Sequence, residues 1–202
     1  MRPTPPALKP EPRLASYLTM ELAQTFIFRS RYYLQTEYRT KIRAAVEALP
    51  PDALWWRANE QSNSVGNLLM HLAGNIRQWI VAGVGRAPDH RNRDSEFAAR
   101  AGATASELLD ALDHALDEVD AVIATLTPHD LASRRTIQGR EVTVLEAVYH
   151  VVEHFALHAG QIILVSKIHA PGAVRFYDDA GGLARPLWPE LARTPVSSEQ
   201  VL

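Results

Sequence analysis

The stretch VLEAVYHVVEHFALHAGQIILVSKI, from Val144 to Ile168, decides the fold. Leu145, Val148, Val152, Phe155 and Ile162 recur in steps of three, four or seven, the spacing of one face of an α-helix. Thr143 precedes the run and Glu146 stands three residues further on, so hydroxyl and carboxylate can each cap a backbone N–H at a helix start. Into this helix the sequence writes His150, His154 and His158 at a spacing of four. A helix turns once per ~3.6 residues, so the imidazoles climb one side, and two of them at i and i+4 are near enough to grip one ion. Each His is a poorer helix former than Ala or Leu and brings two ring nitrogens to a mostly apolar helix. Packing alone does not account for three in register.

Working outward, the same period recurs upstream. A third helix opens at Thr104, with Glu107 completing its capping box, and runs to about Leu126 before Pro128, burying Leu108, Leu112, Leu116, Val119 and Ile123. A second spans about Ser64 to Val84, with Val65, Leu68, Leu69, Leu72, Ile76, Trp79 and Ile80 on one side, and ends in Gly83, Gly85 and Pro88. A first covers Leu14 to Leu49 through Leu18, Leu22, Phe26, Tyr33, Tyr38, Ile42 and Val46; Pro50-Pro51 stops it, and a break is placed near Thr25 to Arg31. Between the third and fourth helices, SRRTIQGREVT turns at Gly139 between alternating residues and reads as a short hairpin. Four long amphipathic helices with no series of strands predict an all-α four-helix bundle. Its expected limits are residues 14–170. Residues 1–13, with five prolines, form an extended arm, and residues 171–202 an irregular tail docked in part through Phe176, Tyr177 and Trp188.

At 202 residues the chain suits one domain. Its 21 Lys and Arg against 23 Asp and Glu leave a net charge of −2, with no basic cluster to draw in phosphate backbone, so nucleic acid is not an expected partner. The chain has no cysteine, which excludes disulfides, Cys-ligated metal and any protein thiol nucleophile; sulfur chemistry would need a thiol from outside. The Pro-rich start has no apolar core for secretion, and no apolar run approaches the ~20 residues of a membrane span. The expectation is a cytoplasmic protein without membrane contact.

A helix bundle builds metal sites from side chains on facing helices, so the histidine stripe needs a partner. His71 is the best candidate, in SNSVGNLLMHLAGNIRQW (Ser62 to Trp79), with Asn67 and Asn75 four residues to either side. His90, His114, His129 and His169 read as solvated surface residues. A competing parse takes His150, Glu153 and His154 as H-x-x-E-H, a zinc-peptidase pattern in which Glu is the general base; the two parses share only His154. Trp55, Trp56 and Arg57 precede the second helix, as a lid or as core closure.

Three segments, NSVGNLLMHLAGN (Asn63 to Asn75), HVVEHFALHAGQI (His150 to Ile162) and WWRANEQSNS (Trp55 to Ser64), resemble the DinB-like superfamily of thiol-dependent transferases and uncharacterised metal-dependent enzymes. The resemblance covers roughly residues 34–168. It implies an antiparallel four-helix bundle, dimeric, with one divalent ion held by a histidine of the second helix and an H-x-x-x-H pair of the fourth. Carried over by position, the ligands are His71, His154 and His158, the last standing three before Gln161 of the H-x-G-Q ending. Many relatives write two adjacent histidines before the GQ, where this chain has Leu157-His158.

Three neutral imidazoles leave a divalent ion (zinc, nickel, iron or manganese) at least one open position. On the transferase resemblance, a low-molecular-weight thiol binds there as thiolate and attacks an electrophile, which agrees with the missing cysteine. Alternatively, activated water attacks an ester or amide, with Glu153 as base. A third class is a metal-stabilised bundle that binds a small molecule without turnover. Glu153, Gln161 and His150 are the candidate catalytic residues, and Asn67, Asn75 and Gln161 the expected polar surround. A homodimer is expected through apolar surface on the first and third helices. Protonation of the imidazoles is expected to abolish activity below about pH 6.

Overall fold

The computed structural model describes residues 12–189; residues 1–11 of the expected arm and the end of the expected tail lie outside the described residues, while Pro12 and Arg13, expected in the arm, begin the first helix instead. α1 (Pro12–Tyr32), a π-helical stretch (Tyr33–Tyr38) and α2 (Arg39–Glu47) follow one another directly. The disturbance expected near Thr25 to Arg31 therefore falls later, where wider winding sets residues five apart above one another: the rings of Tyr33 and Tyr38 stack at 5.6 Å. α3 (Val65–Ile76) starts at Ser64 in a capping box closed by Asn67, then continues as a second π-helical stretch (Arg77–Val84). A short helix, α4 (Arg93–Ala98), has no counterpart in the sequence reading. α5 (Ala105–Ile123) and α7 (Val144–His169) both open with the Thr/Glu boxes anticipated at Thr104 and Thr143; α6 (Pro128–Leu131) lies between them.

The expected hairpin is present as β1 (Arg134–Ile137) paired antiparallel with β2 (Arg140–Thr143). Gln138 and Gly139 close it with φ of 53° and 73°, the two left-handed residues that a tight two-residue hairpin demands. The described part of the tail departs from the expectation of irregular chain. β3 (Tyr177–Asp178) pairs with β4 (Arg185–Pro186), and Trp188 is buried with its indole N–H donating to the Tyr32 hydroxyl at 3.1 Å. Lys41 Nζ sits 4.3 Å over the Trp188 ring, a cation–π contact that explains why this segment docks.

The chain is predominantly helical, with its core where α3, α5, α7 and α2 meet. Leu34, Ile42, Leu69, Leu72, Ile76, Leu112, Leu116, Val148, Phe155 and Ile162 are each at most 1% exposed. Burying one such side chain contributes ~1.5–3 kcal/mol, so this seam outweighs any surface contact. Arg31 with Asp120 and Arg39 with Asp113 and Asp117 tie the first helical stretch to α5, as half-exposed pairs worth ~0.2–1 kcal/mol each. The buried Ser166 hydroxyl donates to the Ala45 carbonyl at 2.6 Å and pins α7 on α2.

Two expectations about surface are corrected. α7 is long and apolar enough, by length and composition, to cross a membrane, because its average outweighs the interrupting His and Glu residues. In the fold its Val144, Ala147, Val148, Val151, Phe155, Ala159 and Ile162 are buried against the other helices. Among the described residues, exposed large apolar side chains on the long helices lie on α1 (Met20, Leu22, Phe28) and α7 (Leu145, Tyr149, Leu157, Leu164, Ile168) rather than on the third helix. The seam of α5 is fully used inward.

Candidate metal centre

His71 enters from α3, and His154 and His158 from α7 one turn apart. Each offers a ring nitrogen, and these atoms all lie within 4.8 Å of one another. The shortest approach is Nε2 of His154 to Nε2 of His71, 2.8 Å. Two bare lone pairs do not sit so close unless a proton or a cation lies between them. His71 is 5% exposed, and His154 and His158 are half-buried. His150, the lowest rung of the stripe, is not in this group. Its ring centroid is 5.3 Å from that of His154 and 4.1 Å from that of Trp79. Eight residues of helix carry it about 80° round from His158, which turns it out of the cluster.

What fixes the ligand nitrogens was not legible in the histidine pattern. Glu96 of α4 is buried, and its Oε2 lies 3.0 Å from Nδ1 of His71. The same carboxylate accepts from Arg91, Nε to Oε1 at 2.7 Å and a terminal guanidinium nitrogen to Oε2 at 2.8 Å. Burial alone would raise the Glu96 carboxyl, but hydrogen bonds from Arg91 and His71, and their charge, hold it below the ordinary carboxylate range. A terminal guanidinium nitrogen of Arg91 also lies 3.0 Å from Nδ1 of His71, but it already donates to Glu96 Oε2. With the ionised carboxylate, which only accepts, as the partner of Nδ1, that nitrogen carries the proton and Nε2 keeps the lone pair. Gln161 performs the same service for His158, whose Nδ1 lies 2.7 Å from the amide oxygen Oε1. In both rings Nδ1 is engaged and Nε2 is left for a cation, with Nε2 of His71 facing that of His154.

The pair is locked in place from behind. Arg91 also donates to Gln78 at 2.9 Å, and Gln78 donates to Asp89 at 2.7 Å. Gly74 makes room for it: a Cβ there would collide with Glu96 Oε1 and stand 3.1 Å from Arg91 Nε. Phe97, next to Glu96, lays its ring 4.7 Å from that of His71, and the Arg93 guanidinium lies over the Phe97 ring at 4.8 Å. Glu96 and Phe97 escaped the sequence reading because they belong to a six-residue helix with no apolar period, and Arg91 because it lies in the loop just before that helix. The available signal was the mixed-charge run RNRDSEF beside Pro88 and Asp89.

Burial and neighbouring charge disfavour protonation of the three α7 imidazoles. His154 is pushed down to about 3 by burial first and then by the charges of His158, His71, His150 and Arg91. His158 is lowered by burial and by His71, with its bond to Gln161 opposing; His150 is lowered by burial, with Glu153 opposing. Neutral imidazoles are what a cation requires, and three of them suit zinc, nickel, iron or manganese.

The remaining candidates sort differently. Glu153 is exposed, has no hydrogen-bond or ion-pair partner among the described residues, and is not one of the three residues whose donor atoms converge. Gln161 is exposed but engaged with His158. Asn67 serves the fold: it closes the α3 capping box and donates to the carbonyls of Glu96 and Ala99 at 2.7 and 2.9 Å. Arg57 joins it, donating to Asn67 Oδ1 at 2.6 Å and to the Phe97 carbonyl at 3.2 Å. Together they hold α4, and with it Glu96, against α3. Trp55 packs on Gly66 and donates to the Ala103 carbonyl, core closure rather than a lid. His90, His114 and His129 are exposed as expected, whereas His169 is half-buried with its ring 4.6 Å from that of Trp56.

A search of curated proteins returned no match. Among solved structures, a DinB-like protein from Bacillus cereus ATCC 10987 superimposes with a TM-score of 0.57 at 15% sequence identity, over 72% of this chain and 94% of that one. At that identity the likeness speaks for the fold, which is DinB-like. Residues 21–174 match a family, and that span includes every helix that supplies a residue to the cluster. The chain therefore belongs to the DinB-like family described as Protein of unknown function (DUF1572).

Proposed function

We propose that His71, His154 and His158 hold one divalent ion, and that the protein is an enzyme transferring a low-molecular-weight thiol to an electrophilic small molecule. The observation that carries the metal reading is the convergence of three ring nitrogens within 4.8 Å, two of the rings having Nδ1 committed to Glu96 and Gln161. When bound, the ion supplies a positive charge that lowers the pKa of a thiol and keeps it as thiolate at neutral pH. The chain does the rest. His71, His154 and His158 supply neutral nitrogens and leave a position open. Glu96 fixes the orientation of His71, while Arg91 keeps Glu96 ionised. Phe97, Trp79 and His150 wall the cluster with rings that exclude bulk water. The absence of cysteine supports an external thiol as nucleophile. Water activated for hydrolysis is less well served, since Glu153, the candidate base, is exposed and away from the cluster.

The helices are read as an antiparallel four-helix bundle within one domain of residues 14–170. Two copies pair through the exposed apolar side chains of α1 and α7, as isologous contacts commonly do. A reducing cytoplasm, where small thiols stay reduced, is the compartment this chemistry suits. Metal-loaded protein, assayed with a chlorinated aromatic acceptor and a panel of small thiols, tests the reading. Thioether formation that needs both metal and thiol is the expected result, and ester cleavage in thiol-free buffer contradicts it.

A further inference from the structure

We infer that Trp79, Asn75 and His150 form a subsite beside the histidine cluster that recognises an amide group of the thiol-bearing ligand. This rests on the thiol-transfer reading and adds to it the chemistry by which the thiol is selected. Trp79 is 4% exposed, and its indole Nε1 is buried without a hydrogen-bond partner among the described residues. Asn75 is 4% exposed, and its Oδ1 is likewise buried without a partner among the described residues. Buried polar groups in native proteins are paired in the great majority of cases, because an unmade hydrogen bond in the interior is destabilising. Two orphans on one helix, one a donor and the other an acceptor, call for a common cause.

Their placement supplies it. His71, Asn75 and Trp79 stand at steps of four along α3 and its π-helical continuation, opposite His158, His154 and His150 on α7. The first rung closes on the cluster, with His71 against His154 and His158 at ring separations of 4.9 and 5.1 Å. The last rung closes where Trp79 packs on His150 at 4.1 Å. Asn75 falls between the two, one turn from each. A secondary amide matches this pair of atoms: its carbonyl accepts from Trp79 N–H and its N–H donates to Asn75 Oδ1. A carboxylate would leave Asn75 Oδ1 without a donor, and an ammonium would leave Trp79 N–H without an acceptor. One helical turn is ~5.4 Å, and an amide three or four bonds from a sulfur, at roughly 1.5 Å per bond, spans that interval. His150, which lies outside the group of ligand nitrogens, becomes the flat wall against which the amide lies.

Three thiols of matched length separate the possibilities. N-acetylcysteamine carries both amide atoms, 2-mercaptoethyl acetate keeps the carbonyl but lacks the N–H, and 1-pentanethiol lacks both. Their dissociation constants are read from the thiolate-to-cobalt charge-transfer band of cobalt(II)-loaded protein, without reference to turnover. Trp79→Phe keeps an aromatic ring and removes the N–H; it is expected to weaken N-acetylcysteamine and 2-mercaptoethyl acetate by ~5–10-fold and leave 1-pentanethiol unchanged. Asn75→Leu is expected to weaken N-acetylcysteamine alone by a similar factor. Should Asn75→Leu fail to fold, the Trp79→Phe comparison decides the matter by itself. Equal loss for all three thiols, or no change for any, overturns the amide subsite while leaving the thiol reading intact. If none of the three produces the band in the wild-type protein, the thiol reading falls and this inference with it.

Discussion

Nδ1 of His71 lies 3.0 Å from Oε2 of Glu96, and Arg91 grips both oxygens of the same carboxylate at 2.7 and 2.8 Å. A carboxylate bonded to one ring nitrogen of a ligand histidine makes the other a better donor and fixes its direction; loss of such a partner typically lowers metal affinity 10–100-fold, a general value of about that size. Glu96→Gln keeps an acceptor for His71 but removes the charge. Its affinity for zinc, measured against a chromophoric chelator, is expected to fall by ~10-fold or more. Unchanged affinity would remove Glu96 from the site's machinery.

Gly74 gives a test that touches no ligand. A methyl group there meets Glu96 Oε1 and crowds Arg91 Nε, so Gly74→Ala should displace the carboxylate from His71. Ala is the better helix former, and at an unconstrained position the change would stabilise α3 by up to ~1 kcal/mol. The expected outcome is the reverse: a lower melting temperature together with weaker metal binding. A rise in melting temperature with full metal content would show that Glu96 does not need the space.

The pH dependence follows from the sign of the histidine shifts. His154 is held down to about 3, against about 6.5 in an unfolded chain, and His158 and His150 are lowered in the same direction. Between those values the unfolded state binds more protons than the folded one. Stability conferred by neutral imidazoles is thus full above the unfolded value and lost as pH falls toward the folded one. Metal-free protein should therefore show a urea midpoint that declines steadily below about pH 6.5. The same shifts move proton competition for the cation to lower pH, so activity should outlast the limit of about pH 6 anticipated from unperturbed histidines. A midpoint flat from pH 7 to 4 would contradict the burial assigned to these rings.

Long periodic segments carried the fold in the sequence. The Thr104/Glu107 and Thr143/Glu146 boxes fall at the starts of α5 and α7, and Gly139 closes the hairpin. His71, His154 and His158 were identifiable because i,i+4 spacing is a local property and the second-helix motif supplied the third residue. The support around them was hidden, because α4 is held by nonlocal bonds from Asn67 and Arg57 to backbone carbonyls, which leave no period in the sequence. The π-helical stretches at Tyr33–Tyr38 and Arg77–Val84 were equally silent, since one extra residue in a turn does not alter composition. His169 was read as solvated because Trp56, whose ring it meets edge to face, lies more than a hundred residues away.

Pairing of two copies has its own consequence. Leu157, Leu164 and Tyr149 are 57, 60 and 62% exposed on α7, so a dimer that covers them should dissociate when that face is charged. Wild-type protein is expected to scatter light as a dimer at micromolar concentration, and Leu164→Lys to scatter as a monomer with unchanged helix content. A wild-type monomer under those conditions removes the dimer.

The most direct measurement is the metal content of protein purified without an affinity tag, exposed to one divalent cation at a time and dialysed, for the wild type and single alanine variants. The account predicts one ion per chain in the wild type, its loss in His71→Ala, His154→Ala and His158→Ala, and its retention in His150→Ala. A site emptied by His150→Ala but kept in His158→Ala, or a wild type that holds no ion, would contradict it.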